Sequence, residues 1–322
     1  MSLQLPDLQA YVTNMVVPRA TDIIYKNSPV FVRLHTNQME RFTGGLQIQR
    51  TIIVGKLLGG AFGRGAAFPL DFVTTESALL VDMKGYGLNI TIYRWDGMKN
   101  RGAASVFNQV SLKFENAAQR MVEMLATDMY LSAQDPGRSL ALNGFAEWFD
   151  DGNTYPSVGG QTRNDITPVG TVGGLNSYVA SLSGFNLTAL NTAYTNAWFG
   201  PDHVDLIPST INGFQLIWQA LQPLQRFNDN NSTDLGQVGF ANFRFNAGAD
   251  VVVDRYMPSG FMYGLNTKYI EWYFSDDELF SFGFTGFKGD QRSLDLAGQY
   301  VVACNLVCPD PRSSFKISSA LF

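Results

Sequence analysis

The segment "AASVFNQVSLKFENAAQRMVEMLATDMYLSAQ", residues 103 to 134, contains neither glycine nor proline. Val106, Val110, Phe114, Ala117, Met121, Leu125 and Met129 recur at steps of three or four, which places one apolar stripe on a helix. Gly102 precedes the run and "DPG" at 135 to 137 stops it. At ~1.5 Å per residue the predicted helix is roughly 45 Å long. Helices in globular proteins average about 12 residues, so this one needs an unusually long apolar bed. A coiled coil would supply one, but sustained heptads are lacking and the chain on both sides reads as strand.

Upstream, "GGLQIQRTII" (44 to 53) alternates at Leu46, Ile48 and Ile52, which is strand periodicity. "ALLVDMKGYGLNITIYRW" (78 to 95) predicts two strand-like runs around Gly85 and Gly87. In the second, Leu88, Ile90 and Ile92 share one face while Asn89, Thr91 and Tyr93 share the other. Between these lies "VGKLLGGAFGRGAAFP" (54 to 69), with five glycines around Lys56 and Arg64. Residues 44 to 96 thus read as a β-excursion that runs out, across a glycine-rich tip, and back. Residues 1 to 43 read as an extended arm with at most short helices, because Pro6, Pro18 and Pro29 interrupt any longer pattern.

Downstream, residues 138 to 260 are mixed. "LALNGFAEWFDDG" predicts a short helix and a turn, and "NTYPSVGGQTRNDITPVGTVGG" a long polar loop. Leu187, Leu190, Ala193 and Ala197 stand at helical spacing, with Asn186 or Thr188 as the cap. "HVDLIPST" predicts a buried strand and "INGFQLIWQALQPLQRF" the helix after it, an α/β order. From 261 onward "KYIEWYFS", "LFSFGFTGF" and "GQYVVACNLVC" are aromatic and β-branched strands, with a turn at "GDQR" (289 to 292).

Composition narrows the class. Charged residues make up 16% against a usual share of about 25%, and there are 24 phenylalanines. Two readings stay open: a large β-rich core, or a surface buried against other subunits. The net charge of −5 argues against charge-driven nucleic-acid binding, yet permits an inner surface that tolerates packed DNA. "MSLQLPDLQAYVTNMVV" lacks the basic start and apolar run of a signal peptide, and no stretch approaches ~18 apolar residues. The chain therefore reads as intracellular or assembled inside a cell, without a membrane span.

No motif points to chemistry. The glycine-rich stretch poses the question of a phosphate cradle. A Walker loop needs Lys and Ser/Thr directly after its last glycine, whereas Lys56 follows the first glycine and no hydroxyl follows it. "GGAFGRG" lacks dinucleotide-fingerprint spacing, and the next helix begins some forty residues on. Backbone freedom at a loop tip is the remaining role. "WFDDG" (148 to 152) and "FSDDE" (274 to 278) read as turns rather than paired catalytic carboxylates. His203 has no Ser or Cys elbow, and GxSxG does not occur. Cys304 and Cys308 have CxxxC spacing without a second pair, and read as small apolar fillers rather than zinc ligands. A carbohydrate-active β-protein using Asp150, Asp151 or Asp276 stays open, because carboxylates obey no spacing rule.

The order of elements resembles the major capsid proteins of tailed bacteriophages, whose fold is shared with encapsulins. "DMKGYGLNITIYRWDGMKNRGAASVFNQVSLKFENAAQ" resembles the family's passage from the E-loop return strand into the spine helix. "LNGFAEWFDDGNTYPSVGGQTR" resembles its Asp-Gly turn and Tyr-Gly-Gly-Arg loop, with Tyr155, Gly159, Gly160 and Arg163 in those places and an insertion after the tyrosine. "HVDLIPSTINGFQLIWQAL" resembles its axial-domain strand and helix.

The resemblance implies an α+β fold with an N-terminal arm (1–43), an E-loop with flanking strands (44–96) and a spine helix of the peripheral domain (97–137). The axial domain would span 138–260, peripheral-domain strands and loop 261–311, and a strand returning to the axial domain 312–322. It implies no catalytic residue, cofactor or metal. It implies self-assembly through hexamers and pentamers around double-stranded DNA contacted non-specifically, with a portal and a separate scaffolding protein as partners. Assembly would take place in the host cytoplasm. The alternative is an encapsulin-like compartment. The E-loop would then bury Leu57, Leu58, Phe62, Phe68 and Phe72 on a neighbour, with Lys56 and Arg64 beside them and Lys288, Asp290 and Arg292 as further inter-subunit contacts. Some members cross-link an E-loop lysine to a neighbour's asparagine, for which Lys56 and Asn305 are the candidates.

Overall fold

The computed structural model describes residues 12–16, 28–37, 39–53, 55, 60–65, 75–92, 103–163, 174–221, 244–245, 248–289 and 296–322. The chain divides into two compact units, each drawn from three separate stretches.

The first unit comprises Met1–Gln49, Leu80–Phe145 and Ile270–Val307. It contains α1 (Pro29–Asn37), β1 (Met39–Phe42), α2 (Ala103–Tyr130) and the strands β4 (Lys84–Ile92), β12 (Glu271–Ser275), β13 (Gly283–Phe284), β14 (Lys288–Gly289) and β15 (Leu296–Val307). α2 is the long predicted helix. Val110, Phe114, Ala117, Met121, Leu125 and Met129 of the stripe are all buried, while Val106 lies outside the residues whose side chains are described. The bed is the sheet: α2 packs on β4, and Phe114 meets Phe284, Phe287 and Tyr300 edge-on at 5.0, 6.5 and 6.3 Å.

α2 ends at Tyr130, short of the Gly/Pro-free run. Leu131 N bonds back to Asp128 O at 3.2 Å, closing a tightened last turn. The returning chain then covers the freed carbonyls at Gly144, where a Cβ would come within 2.2 Å of Leu131 O and 2.5 Å of Asp128 O.

β15 is the sheet's spine. It runs antiparallel to β4 from Leu296↔Ile92 to Cys304↔Lys84, and antiparallel to β12 from Phe274↔Cys304 to Glu271↔Val307. β13 and β14 pair with its first half. The expected alternation holds: Ile90 and Ile92 are buried while Asn89 and Thr91 are exposed. The two strand-like runs expected around Gly85 and Gly87 are two strands whose boundary lies upstream of both glycines. Both glycines lie inside β4, and the preceding strand stops at Val81, with Asp82 and Met83 between them. A Cβ at Gly87 would stand 3.2 Å from Val301 Cγ1, so glycine here serves close strand approach rather than a turn.

The arm carries more structure than its prolines suggest. Pro29 occupies the first position of α1, where a missing N–H costs nothing. Val30, Phe31 and Leu34 are buried, with the Phe31 ring 4.5 Å from Trp272. β1 then joins the sheet parallel to β12, from Met39↔Trp272 to Phe42↔Ser275.

The second unit comprises Arg50–Leu79, Ala146–Tyr269 and Cys308–Phe322. Its main sheet has the order β7 (Tyr178–Leu182), β16 (Phe315–Ser319), β11 (Phe261–Gly264), β8 (Leu206–Ser209), β10 (Ala249–Val253), β9 (Arg244–Phe245). β8 is buried along its whole length and pairs parallel with β10. Between them in sequence lies α5 (Ile211–Leu221), the predicted strand-then-helix order. Gly213 lets α5 approach closely, since a Cβ there would lie 2.4 Å from Ser209 Oγ. α4 (Leu187–Asn196) packs on β7 and β16 and is capped by Asn186, whose side chain accepts from Thr188 N at 2.8 Å. β16, from the chain's last residues, lies inside this sheet, parallel to β7 and antiparallel to β11.

Cys304 and Cys308 are buried thiols outside any disulfide, in line with their reading as apolar fillers. Burial pushes the Cys304 thiol up to about 12.

Candidate assembly surfaces

β2 (Ile48–Ile53) and β3 (Glu76–Val81) pair with each other as a separate ribbon. Alternation divides its faces. Ile48, Ile52, Leu79 and Val81 are buried, whereas Ile53 and Leu80 are exposed, Ile53 at 74%. Leu46, expected in the strand, lies just before it and is fully exposed. A two-stranded ribbon is marginal in water by itself, so its apolar outer face needs cover. Farther out, Phe62 is 67% exposed, and Arg64 is exposed in a turn with Gly65 at φ +86°. Lys56, Leu57, Leu58, Phe68 and Phe72 lie outside the described residues. Lys288 is exposed on β14, while Asp290 and Arg292 also fall outside the described residues.

Strand β3 of the ribbon meets a hairpin. β5 (Ser157–Val158) and β6 (Gln161–Thr162) pair antiparallel around Gly159 and Gly160, both left-handed at φ +55° and +75°. Two successive positive φ values are what a two-residue type I′ turn requires. Gln161 Nε2 donates to Ala78 O at 2.9 Å. Leu79 lies against Gly159, where a Cβ would be 3.0 Å from Leu79 Cδ2 and 3.5 Å from the Trp148 ring.

Two charges behind the hairpin hold the loop. Asp150, at the end of the single helical turn α3 (Phe145–Trp148), is buried. Its Oδ2 accepts from Gly152 N, Thr154 N and Tyr155 N at 3.1, 3.1 and 2.9 Å, with Gly152 at φ +89°. This is the predicted Asp-Gly turn. Arg163, fully buried, donates through Nε to Tyr155 O at 2.8 Å and through its terminal nitrogens to the Glu147 and Leu175 carbonyls. Trp148 O and Asp150 O stand farther off, at 3.3 and 3.4 Å. Burial holds the Arg163 guanidinium below its ordinary pKa, against the opposing pull of the Asp150 and Glu147 carboxylates. Nothing in the local pattern marks Arg163 as a hub, because its acceptors are main-chain carbonyls.

Asp151 accepts from Asn153 N at 3.1 Å, and Asp276 pairs with Arg41 at 3.0 Å in an exposed turn. The three carboxylates considered for carbohydrate chemistry thus each shape a turn or an ion pair. Among the described residues no cluster of His, Cys, Asp and Glu could hold a metal ion, and no helix is long and apolar enough to cross a membrane. His203 rests beside Trp198 at a ring separation of 5.4 Å.

Asn305 is not a surface acceptor for cross-linking. It is fully buried; its Oδ1 accepts from Asn143 N at 3.0 Å and Leu306 N at 2.8 Å. Its Nδ2 donates to Asp82 O at 2.6 Å and to Asn143 Oδ1 at 2.8 Å. A neighbour's lysine would have to break this network to reach it.

Sequence reasoning missed two exposed leucines of the first unit. Leu112 lies off the buried stripe of α2, on a groove of about 440 Å³ between α2 and β4 that Leu88, Ile90, Lys113 and Arg120 also line. Leu140 is 82% exposed on the loop after α2. That loop is braced by the Arg138–Asp128 ion pair at 2.5 Å and by Tyr86, whose hydroxyl donates to Asp128 Oδ2 at 2.7 Å and accepts from Leu142 N at 2.9 Å. Burial, followed by the Asp128 contact, raises the Tyr86 pKa far above the usual phenol value.

No family model and no curated protein matches the sequence. Solved structures do. A chain of the cyanophage A-1(L) capsid asymmetric unit aligns with TM-score 0.58 at 14% identity, over 89% of this chain and 91% of that one. The capsid of the native GTA particle aligns with TM-score 0.56 at 9% identity, over 89% of each chain. The SrpI encapsulin of Synechococcus elongatus aligns with TM-score 0.55 at 7% identity, over 91% of this chain and 88% of that one. The chain has the α+β fold shared by the major capsid proteins of tailed bacteriophages and the encapsulins.

Proposed function

We propose that this chain is the structural subunit of a closed shell, a major capsid protein that assembles through hexamers and pentamers into an icosahedral capsid enclosing double-stranded DNA. The observation that carries this reading is the likeness to capsid subunits along about nine tenths of both chains. The ribbon adds a physical reason. Ile53 and Leu80 on its outer face, and Phe62 beyond it, expose apolar area that a neighbouring subunit would cover at ~25 cal/mol per Å². Heterologous contacts that close by rotation produce rings of six and five. With a net charge of −5 the subunit would contact DNA weakly and without sequence preference. A portal and a separate scaffolding protein would complete assembly in the host cytoplasm, and the protein's place would be the virion shell, with no catalytic role. An encapsulin-like compartment is the second reading, supported by the likeness to the SrpI encapsulin.

Electron microscopy of the purified protein tests the class. Particles tens of nanometres across support a shell, and a stable monomer with glycosidase activity refutes it. Nuclease-protected double-stranded DNA inside the particles supports the capsid, whereas protein cargo without DNA supports the compartment. Deleting residues 55–66 leaves a folded subunit that forms no stable shells; normal shells from this deletion would refute the assembly role of the glycine-rich tip.

A further inference from the structure

We propose that the β5–β6 hairpin is a seat that sets the direction of the β2–β3 ribbon where β3 rests on it, and through that direction the curvature at which copies join. The second clause rests on the shell-forming reading; the first does not.

Three observations converge on the seat. The hairpin holds the ribbon by one directed bond, Gln161 Nε2 to Ala78 O, and by one packed contact, Leu79 on Gly159. The contact is tight: a Cβ on Gly159 would fall at 3.0 and 3.2 Å from two Leu79 carbons, so Leu79 would have to give way to admit it. The hairpin itself is immobilised from behind. Arg163, the residue after β6, is clamped to Tyr155, Glu147 and Leu175 carbonyls, and Asp150 gathers the amides of Gly152, Thr154 and Tyr155 ahead of β5. A ribbon of two strands has little stiffness of its own against rotation at its base. Its direction is then decided by what β3 rests on at Ala78 and Leu79, so a shift at Leu79 redirects the ribbon.

The test uses the full chain with spin labels at Ile53→Cys on the ribbon and Ser157→Cys on the hairpin; both native cysteines are buried. Gly159→Asn is the main variant. Asparagine accepts a left-handed φ, so the turn persists while the new Cβ presses on Leu79. Gln161→Ala, which removes the directed bond without steric load, is the second. Pulsed electron–electron resonance should give one narrow distance in the parent, a displaced one in Gly159→Asn and a broader one in Gln161→Ala. Unchanged distances in both variants overturn the seat. Particle diameters measured in parallel test the curvature clause: shifted or mixed diameters support it, and uniform parental diameters despite a moved ribbon overturn it. If the parent forms no particles, the shell-forming reading and the curvature clause fall together, while the distances still decide the seat.

Discussion

Arg163→Met tests how strongly the second unit depends on one buried cation. The wild-type side chain is fully buried and makes its close contacts to three main-chain carbonyls, those of Glu147, Tyr155 and Leu175. Methionine fills much of the same volume, so the cavity contribution is small and the change isolates the hydrogen bonds. Three carbonyls then lose their donor in a place closed to water, at ~1–3 kcal/mol each. Relief from no longer burying a charge acts in the opposite direction, so the lower end applies, about 3 kcal/mol in total. That is on the order of a hundredfold in the unfolding equilibrium. The assay is urea denaturation of the unassembled chain followed by fluorescence, Trp148 lying inside the affected loop. With m of roughly 2 kcal/mol per M, the midpoint falls by about 1.5 M. Arg163→Lys retains the charge but not the fork, and recovers only part of the loss. A methionine variant within about 0.5 kcal/mol of wild type would show that these carbonyls find other partners, and the hub argument would be wrong.

Three further expectations follow from the described contacts. Asn305→Ala removes the side-chain bonds to Asn143 N, Leu306 N and Asp82 O and destabilises the subunit by ~2–4 kcal/mol; unchanged stability with loss of covalent oligomers on a denaturing gel would instead restore the cross-link. Hydrogen bonds from Lys268 at 2.7 Å and Tyr269 at 2.6 Å hold the Asp202 carboxyl below the usual range. Since its folded pKa is the lower one, its stabilisation is present above the unfolded value of about 4 and is lost as pH falls through the folded value. The melting-temperature gap between wild type and Asp202→Asn should therefore shrink from pH 7 to pH 3; a widening gap contradicts the sign. Both thiols should ignore a disulfide reagent at pH 8 in the native chain and react on unfolding, since Cys304 is buried with its thiol pushed up to about 12. Rapid native reaction would mean that β15 opens locally.

Legibility followed the range of the interaction. The buried stripe of α2, the alternation of Leu88 to Ile92, the Asn186 cap and the Asp150 turn were all readable, because each depends on neighbours within a turn or a strand. The rest lay where distant chain decides. The two strand-like runs around Gly85 and Gly87 leave the strand boundary open, and β15, pairing straight across both glycines, places it before Lys84. The arm reads as an extended segment with at most short helices, and its strand β1 is made by β12, more than two hundred residues away in sequence. Asn305 read as an available amide, but the returns of the chain at Asp82 and Asn143 enclose it.

The assembly surface divides the same way. Glycine-rich backbone between two β-runs was enough to exclude a phosphate cradle, since that chemistry needs a hydroxyl and helix at set positions. Which apolar residues stay uncovered was not written locally. Ile52 and Ile53 are identical side chains one position apart; pleating sends them to opposite faces, and what packs against the ribbon decides that Ile52 is the buried one. Leu112 and Leu140 are likewise ordinary leucines until the sheet and the Tyr86–Asp128–Arg138 brace orient their elements. Periodicity and turn chemistry are properties of consecutive residues, so the sequence by itself determined the elements and their order. Strand partners, the carbonyls around Arg163 and the outward face of the ribbon depend on residues far apart in the chain, and only the tertiary structure decided them.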